Sequence, residues 1–280
     1  MLREYIRLIR PINTLASCVA VFLGGYVART ASWKQVTIAA ISVFLISAST
    51  NAWNDYIDIE IDKINKPERP LPAGKISPRG ALTFSFTVDA FSLVAAIFIN
   101  LTGFLIVLAV NILLYLYSWK LKCTVLLGNV TVATIVALCF VFAGVASGNI
   151  TPILTLSMTT FFYMLGSEIM KDMADYQGDL LQNCSTIATV WGKKISSIFV
   201  QFFLGMTIAS MLNTYFYKNY HPAYLFMILF IMVPFLIYII LHTKENTDSQ
   251  LLERFWLWIR FSYFLWFLAI VLGIGLNPTL

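Results

Sequence analysis

The chain has 280 residues, of which 59% are hydrophobic and 12% charged, with a mean hydropathy of +0.79 and a formal net charge of +5. A soluble domain carries about 25% charged residues, so a globule of this length in water could not cover its apolar surface, and a disordered chain has the opposite composition. What remains is a polytopic membrane protein, in which the positive charge marks membrane sidedness rather than nucleic-acid binding.

A spanning helix needs about 20 mostly apolar residues. The segment behind Arg3, Arg7 and Arg10 has no small-residue cleavage site, so residues 12–28 read as a first spanning helix and not as a signal peptide. The second span, 36–53, runs into a polar stretch, 54–79. Spans 81–99 and 101–118 follow, parted near Asn100 and Gly103, then 126–147 and 151–170. A second polar stretch, 171–194, precedes spans 195–213, 223–241 and 256–275. The expected fold is all-α: about nine transmembrane helices with the N-terminus cytoplasmic, forming one domain over 1–280 with two pseudo-equivalent halves. That topology leaves all but Arg29, Lys34 and Lys218 of the 19 lysines and arginines on the cytoplasmic side. The four cysteines, Cys18, Cys123, Cys139 and Cys184, lie far apart without a CxxC pair and read as small apolar residues in a chain that is no disulfide scaffold.

Nine of the 14 acidic residues fall in segments 55–68 and 168–179, both on that side. Asp55, Asp58 and Asp62 repeat the spacing of Asp172, Asp175 and Asp179, at offsets of zero, three and seven. On a helix turning about 100° per residue, such a triplet spans an arc of about 60°. Like charges on one face repel, and the arrangement makes sense around a hard divalent cation. Mg²⁺ takes oxygen ligands and commonly binds through one or two carboxylates plus substrate phosphates. Two such faces, one per half, are expected to act as jaws on Mg²⁺–diphosphate. Nearby cations suit the diphosphate: Lys122 after the fourth span, Arg69 in a proline-stiffened run, Arg10 at the start of the first helix with Asn13 behind it, and Lys171 in the second motif.

Asn54-Asp55-x-x-Asp58-x-x-x-Asp62 resembles the first signature of the UbiA-type intramembrane prenyltransferases, and Asp175-x-x-x-Asp179 resembles the second. The resemblance covers nearly the whole chain. It implies a helical bundle around a central, laterally open cavity where Mg²⁺ joins both motifs to a polyprenyl diphosphate. By that carry-over Asn54, Asp58, Asp62, Asp175 and Asp179 hold metal or metal-bound water, and Lys122, Arg69 and Arg10 touch the diphosphate. The run from Glu60 to Ser77, with Glu168 to Asp179, is similar to the archaeal digeranylgeranylglyceryl phosphate synthase branch. That ranks the hydroxyl of geranylgeranylglyceryl phosphate first as acceptor. The branches with aromatic or chlorophyllide acceptors share much of the run; the haem-modifying branch departs from it at Lys66-Pro67.

The reaction expected is ionisation of an allylic C–O bond followed by alkylation, in a cavity that keeps out water. Asp55, Asp62 and Asp172 are the candidate catalytic carboxylates, and sequence does not separate a general base from a metal ligand among them. Asp89, midway along the third span, is either a structural hydrogen-bonding group or part of a cavity. Glu168 supports Lys171 or lines the pocket, Arg260 snorkels or pairs, and His221 and His242 are not metal ligands. The partners expected are a polyprenyl diphosphate, a lipid-soluble acceptor and membrane lipids, with no obligatory protein partner. A cation or organic-anion transporter is the rival class, but the acids sit at one face and not at the bilayer midplane.

Overall fold

The computed structural model describes residues 2–275, the side chains of Asn13, Ile64, Asn65 and Lys218 excepted, and all its regular structure is helical. The helices are α1 (Leu2–Leu8), α2 (Pro11–Val27), α3 (Trp33–Ile57), α4 (Ile59–Asn65), α5 (Pro78–Ile97), α6 (Leu101–Leu116), α7 (Leu127–Ser147), α8 (Ile153–Ala174), α9 (Tyr176–Leu181), α10 (Ile187–Lys218), α11 (Pro222–Met227), α12 (Val233–His242) and α13 (Ser249–Gly275). Wider π-turns continue α6 over Tyr117–Leu121 and join α11 to α12 over Ile228–Met232. Among the described residues eight helices are long and apolar enough to cross a membrane: α3, α5, α6 with its π-turn, α7, α8, α10, α11 through α12, and α13. The first expected span is α2, whose 17 residues rise about 25 Å against a hydrocarbon core of about 30 Å.

The chain divides into two compact units, one of Met1–Lys120 with Leu138–Ile153, the other of Leu121–Ala137 with Leu154–Leu280. In the first, α3 packs against α2 and α5 through small buried residues, among them Ala39, Ala40, Ser42, Ala48, Ser49 and Ala52. Lipid tails are as apolar as leucine, so helices gain by close backbone approach, which small residues permit. Gly24 of α2 shows how close: a Cβ there would lie 2.5 Å from Cβ of Ala143 on α7. Gly24→Val should therefore cost about 1–3 kcal/mol, read as a lower unfolding midpoint in detergent; an unchanged midpoint would mean the helices separate freely.

The proline-rich run after α4 is folded. Pro70 accepts backbone hydrogen bonds from Lys75 (2.9 Å) and Ile76 (3.3 Å), and the turn is closed by Gly74 at φ +67°, where glycine is favoured. Leu71 and Ile76 are buried with Leu8, Ala52 and Ala81, flanked by Tyr5, Tyr56, Ile59 and Phe84. The Arg7 guanidinium donates to the Glu68 carbonyl at 3.1 Å. This small core anchors Arg69 beside the end of α3.

In the second unit α13 packs on α11 and α10 on α12. The Tyr163 and Ser262 hydroxyls are hydrogen-bonded between α8 and α13, and the Gln201 amide donates to the Thr243 carbonyl at 2.8 Å. Helix α10 begins at Ile187, eight residues before the span expected from hydropathy. Thr186 and Thr189 form a reciprocal capping box there, and Ile187 and Ala188 are fully buried. The helix is interrupted at Gly192, whose φ of +84° belongs to the region glycine alone adopts readily.

The cysteine expectation needs correction. Cys123 and Cys184 form a disulfide, while Cys18 and Cys139 are free. The bonded pair is 61 residues apart, and the turn before α7 meets the segment after α9 only in the folded chain.

Candidate functional site

The first aspartate triplet sits where α3 ends. Asp55 is in the last turn of α3, Asp58 (φ −88°, ψ 10°) separates α3 from α4, and Asp62 lies in α4. The second triplet has the same construction: Asp172 in the last turn of α8, Asp175 (φ −82°, ψ 3°) at the break, Asp179 in α9. A single continuous helix face was expected, and the helices instead bend at the middle aspartate. The register survives the bend. Asp58 donates its N–H to Asn54 (2.9 Å) and Asp62 donates to Asp58 (2.8 Å), as Asp175 does to Lys171 (2.9 Å) and Asp179 to Asp175 (3.0 Å).

In the first unit the carboxylates are met by guanidinium groups. Asp55, 2% exposed, accepts from Arg10 and, at 3.3 Å, from Arg69; Asp62, 5% exposed, accepts from the same Arg69 nitrogen. Two buried negative charges and two positive ones form a continuous chain, which is how ionised groups are tolerated away from water. Arg10 owes its place to a left-handed backbone (φ +49°) just before Pro11 starts α2. Asn54 accepts at its amide oxygen from the Ser118 hydroxyl, in the π-turn after α6. Asp58 is half-buried. Sequence thus brings Arg10, Asp55, Asp62 and Arg69 together as one group; the side chain of Asn13 lies outside the described residues.

In the second unit the Asn129 amide donates to Asp172 at 2.9 Å, and Asn129 is 7% exposed. Lys171 pairs with Asp175 at 3.7 Å, with the two side chains 40% and 55% exposed, a contact of a few tenths of a kcal/mol. Asp179 is half-buried. Burial and then the Asp175 charge push its carboxyl above the usual aspartate value, while a Thr186 hydrogen bond and the charges of Lys171 and Lys122 pull it down. The Lys193 ammonium stands 5.0 Å above the Tyr176 ring of α9. Glu168 lies within reach of the charges of Lys171 and Arg260, and Arg260 stacks over Trp256 at 4.7 Å.

Elsewhere, one Asp89 oxygen on α5 is buried without a hydrogen-bond partner. The neighbouring seam holds Asn111, which donates to the Ser92 hydroxyl at 3.2 Å, and Tyr115, bonded to Ser49 and Ser85 at 3.0 and 3.1 Å. His221 caps α11 by accepting from Ala223 at 3.2 Å, and His242 bonds the Tyr238 carbonyl at 2.8 Å. Sequence reasoning missed Ser118 and Asn129, because a lone serine or asparagine at a helix end carries no local sign of a long-range partner.

Among the described residues no group of three or more acidic, histidine or cysteine side chains is gathered as a metal would require. The donor set nonetheless fits Mg²⁺: it is all oxygen, and Asp179 beside Asp175 is a carboxyl whose ionised form a cation would favour. In the first unit Asp62 and Asp55 face guanidinium groups, so a cation held there would share them with Arg69 and Arg10.

Residues 15–268 match the model of the UbiA prenyltransferase family. The chain is 29% identical over 276 residues to the digeranylgeranylglyceryl phosphate synthase of Methanothermobacter thermautotrophicus, covering 98% of this chain and 97% of that one. It is 32% identical over 278 residues to the synthase of the same name from Methanococcus aeolicus, covering 97% and 98%. Among solved structures, one described as a digeranylgeranylglyceryl phosphate synthase in membranes superposes with a TM-score of 0.85 at 28% identity, over 97% of this chain and 98% of the other. A UbiA homologue from Archaeoglobus fulgidus, bound to GPP and Mg²⁺, shares the fold at a TM-score of 0.76 and 20% identity, over 97% and 98%.

Proposed function

The chain belongs to the UbiA prenyltransferase family, and from that premise we propose that this multi-pass membrane prenyltransferase transfers a geranylgeranyl group from its diphosphate to geranylgeranylglyceryl phosphate. The allylic C–O bond breaks with its electron pair leaving on diphosphate, the acceptor hydroxyl oxygen bonds to the allylic carbon, and the hydroxyl proton is released. The observation that supports this reading most is the pair of matched aspartate triplets, each bent at its middle residue, in a chain similar over nearly its whole length to synthases named for the product of that transfer.

Asn54, Asp58, Asp62, Asp175 and Asp179 are proposed to hold Mg²⁺ at the cytoplasmic face. When bound, the metal supplies Lewis-acid neutralisation of the leaving diphosphate. The chain's own cations are proposed to bind the diphosphate before and throughout bond breaking: Arg69 and Arg10 in the first unit, Lys122 and Lys171 in the second. Asp55 is proposed to orient Arg10 and Arg69, the role its two guanidinium contacts suit. Asp172, held by Asn129, is proposed as the group nearest a general base. Apolar helices keep bulk water from the allylic cation and leave the prenyl tail in an apolar phase, at about 0.8 kcal/mol per CH₂ kept from water.

Incubating the purified protein with geranylgeranyl diphosphate, Mg²⁺ and a panel of acceptors, then weighing the products, tests the acceptor. The ether of geranylgeranylglyceryl phosphate is expected; an aromatic or chlorophyllide product instead would refute the lipid assignment. A pH dependence follows from Asp179. A raised carboxyl value means the ionised, metal-binding form is lost at a higher pH than for an ordinary aspartate, near 3.9. The calorimetric Kd for Mg²⁺ should therefore begin to weaken on acidification at a higher pH than for a site built on ordinary aspartates, and an onset no higher than the ordinary aspartate range would contradict it.

A further inference from the structure

The Cys123–Cys184 disulfide has no part in the chemistry above, yet it lies against two residues that do. Cys123 follows Lys122 directly, with Cα atoms of the bridged pair 4.7 Å apart. Cys184 donates its N–H to the Asp179 carbonyl at 2.8 Å, so it closes the turn behind that carboxylate. Its own carbonyl accepts from Thr186 N–H (3.1 Å) and the Thr189 hydroxyl (2.9 Å), which ties the turn to the cap of α10. Asn183 (φ +52°) ends α9 in the left-handed region that asparagine adopts readily at a helix C-terminus, whereas Leu126 (φ +62°), four residues from Lys122, is held there without being glycine or asparagine, a conformation the surroundings must enforce.

We propose that this disulfide is a redox-responsive positioning device: closed, it holds Lys122 beside the Asp175–Asp179 segment and the diphosphate is bound tightly; open, Lys122 is released and binding weakens. The inference rests on the function proposed above. The face assigned to this bridge is cytoplasmic, where thiols are kept reduced and a disulfide tends to be transient. The two sulfurs also differ in access, since Cys123 is exposed and Cys184 is 7% exposed. A dithiol reductant attacks the Cys123 sulfur, forming a mixed disulfide and expelling Cys184 as a thiolate that takes up a proton. The second thiol of the reductant then displaces Cys123. The reductant leaves as a disulfide, having given two electrons and two protons, and the chain keeps two thiols.

The test uses the full-length protein in detergent, with the bridge confirmed by non-reducing peptide mass mapping and opened with dithiothreitol. Opening should raise KM for geranylgeranyl diphosphate roughly tenfold with kcat changed less than about twofold, because an ammonium that meets the diphosphate before and during bond breaking contributes uniform binding. The rise should reverse on reoxidation. Cys123→Ser/Cys184→Ser should show the raised KM with or without dithiol, and Lys122→Gln should have a raised KM that dithiol does not raise further. Independently of turnover, acetylation of Lys122 in the protein alone should quicken several-fold on reduction. A bridge absent from the oxidised protein, a KM and labelling rate unmoved by dithiol, or a dithiol effect persisting in the double serine variant would each overturn the proposal. Altered Lys122 labelling in a protein without prenyl transfer would keep the device and refute the enzyme reading instead.

Discussion

Alanine at Asp58 or at Asp175 should lower prenyl transfer by at least about a thousandfold, a loss of about 4 kcal/mol of transition-state stabilisation, while the protein still folds and inserts. Both residues sit at the bend between two helices. Asp175 is 55% exposed and pairs only loosely with Lys171 at 3.7 Å, so its removal costs little stability. On the proposed function, what is lost is an oxygen that would hold Mg²⁺ where charge must be neutralised as diphosphate departs. Paired measurements of kcat/KM for the prenyl diphosphate and of the unfolding midpoint separate the two effects. Activity within tenfold of the parent in either variant would remove that residue from the metal site.

The second large effect is on stability. Arg69→Ala takes from Asp62, 5% exposed, its guanidinium and leaves Asp55, 2% exposed, with Arg10 alone. Removing one partner of a buried charge pair costs about 3–5 kcal/mol, because the other stays buried and unpaired. The variant should therefore unfold at a markedly lower midpoint. Adding Asp62→Asn removes the stranded charge, so the double variant should recover much of the stability and none of the activity. That combination separates the observed role of Arg69, closing the buried chain of charges, from its proposed role of holding the diphosphate. A double variant no more stable than Arg69→Ala would mean that Asp62 is not the charge being compensated.

What the sequence made legible follows from periodicity and composition. Apolar runs located the spans because lipid demands about 20 such residues wherever a helix crosses. The zero, three, seven spacing marked both aspartate groups as ends of spanning helices, and the i→i−4 hydrogen bonds through Asp58 and Asp175 keep that spacing helical across the bends. The bends themselves were invisible, since φ near −85° and ψ near 5° are open to any non-proline residue and leave no mark. The start of α10 was misplaced because polar residues 193–194 mask a helix that its cap, Thr186, had already begun. Partners distant in sequence were beyond reach: Ser118 at Asn54, Asn129 at Asp172, and Cys184 at Cys123. Each depends on tertiary contacts that no local pattern encodes.

The most direct measurement follows geranylgeranyl diphosphate and the lipid acceptor with the purified protein, counting prenylated product and released diphosphate together, with Mg²⁺ present and with it chelated. Product and diphosphate should appear one for one, stop under chelation and resume when Mg²⁺ is restored. Undiminished transfer under chelation, or Mg²⁺ binding without any prenylated product, would contradict an enzyme whose paired aspartate motifs hold a magnesium-bound leaving group.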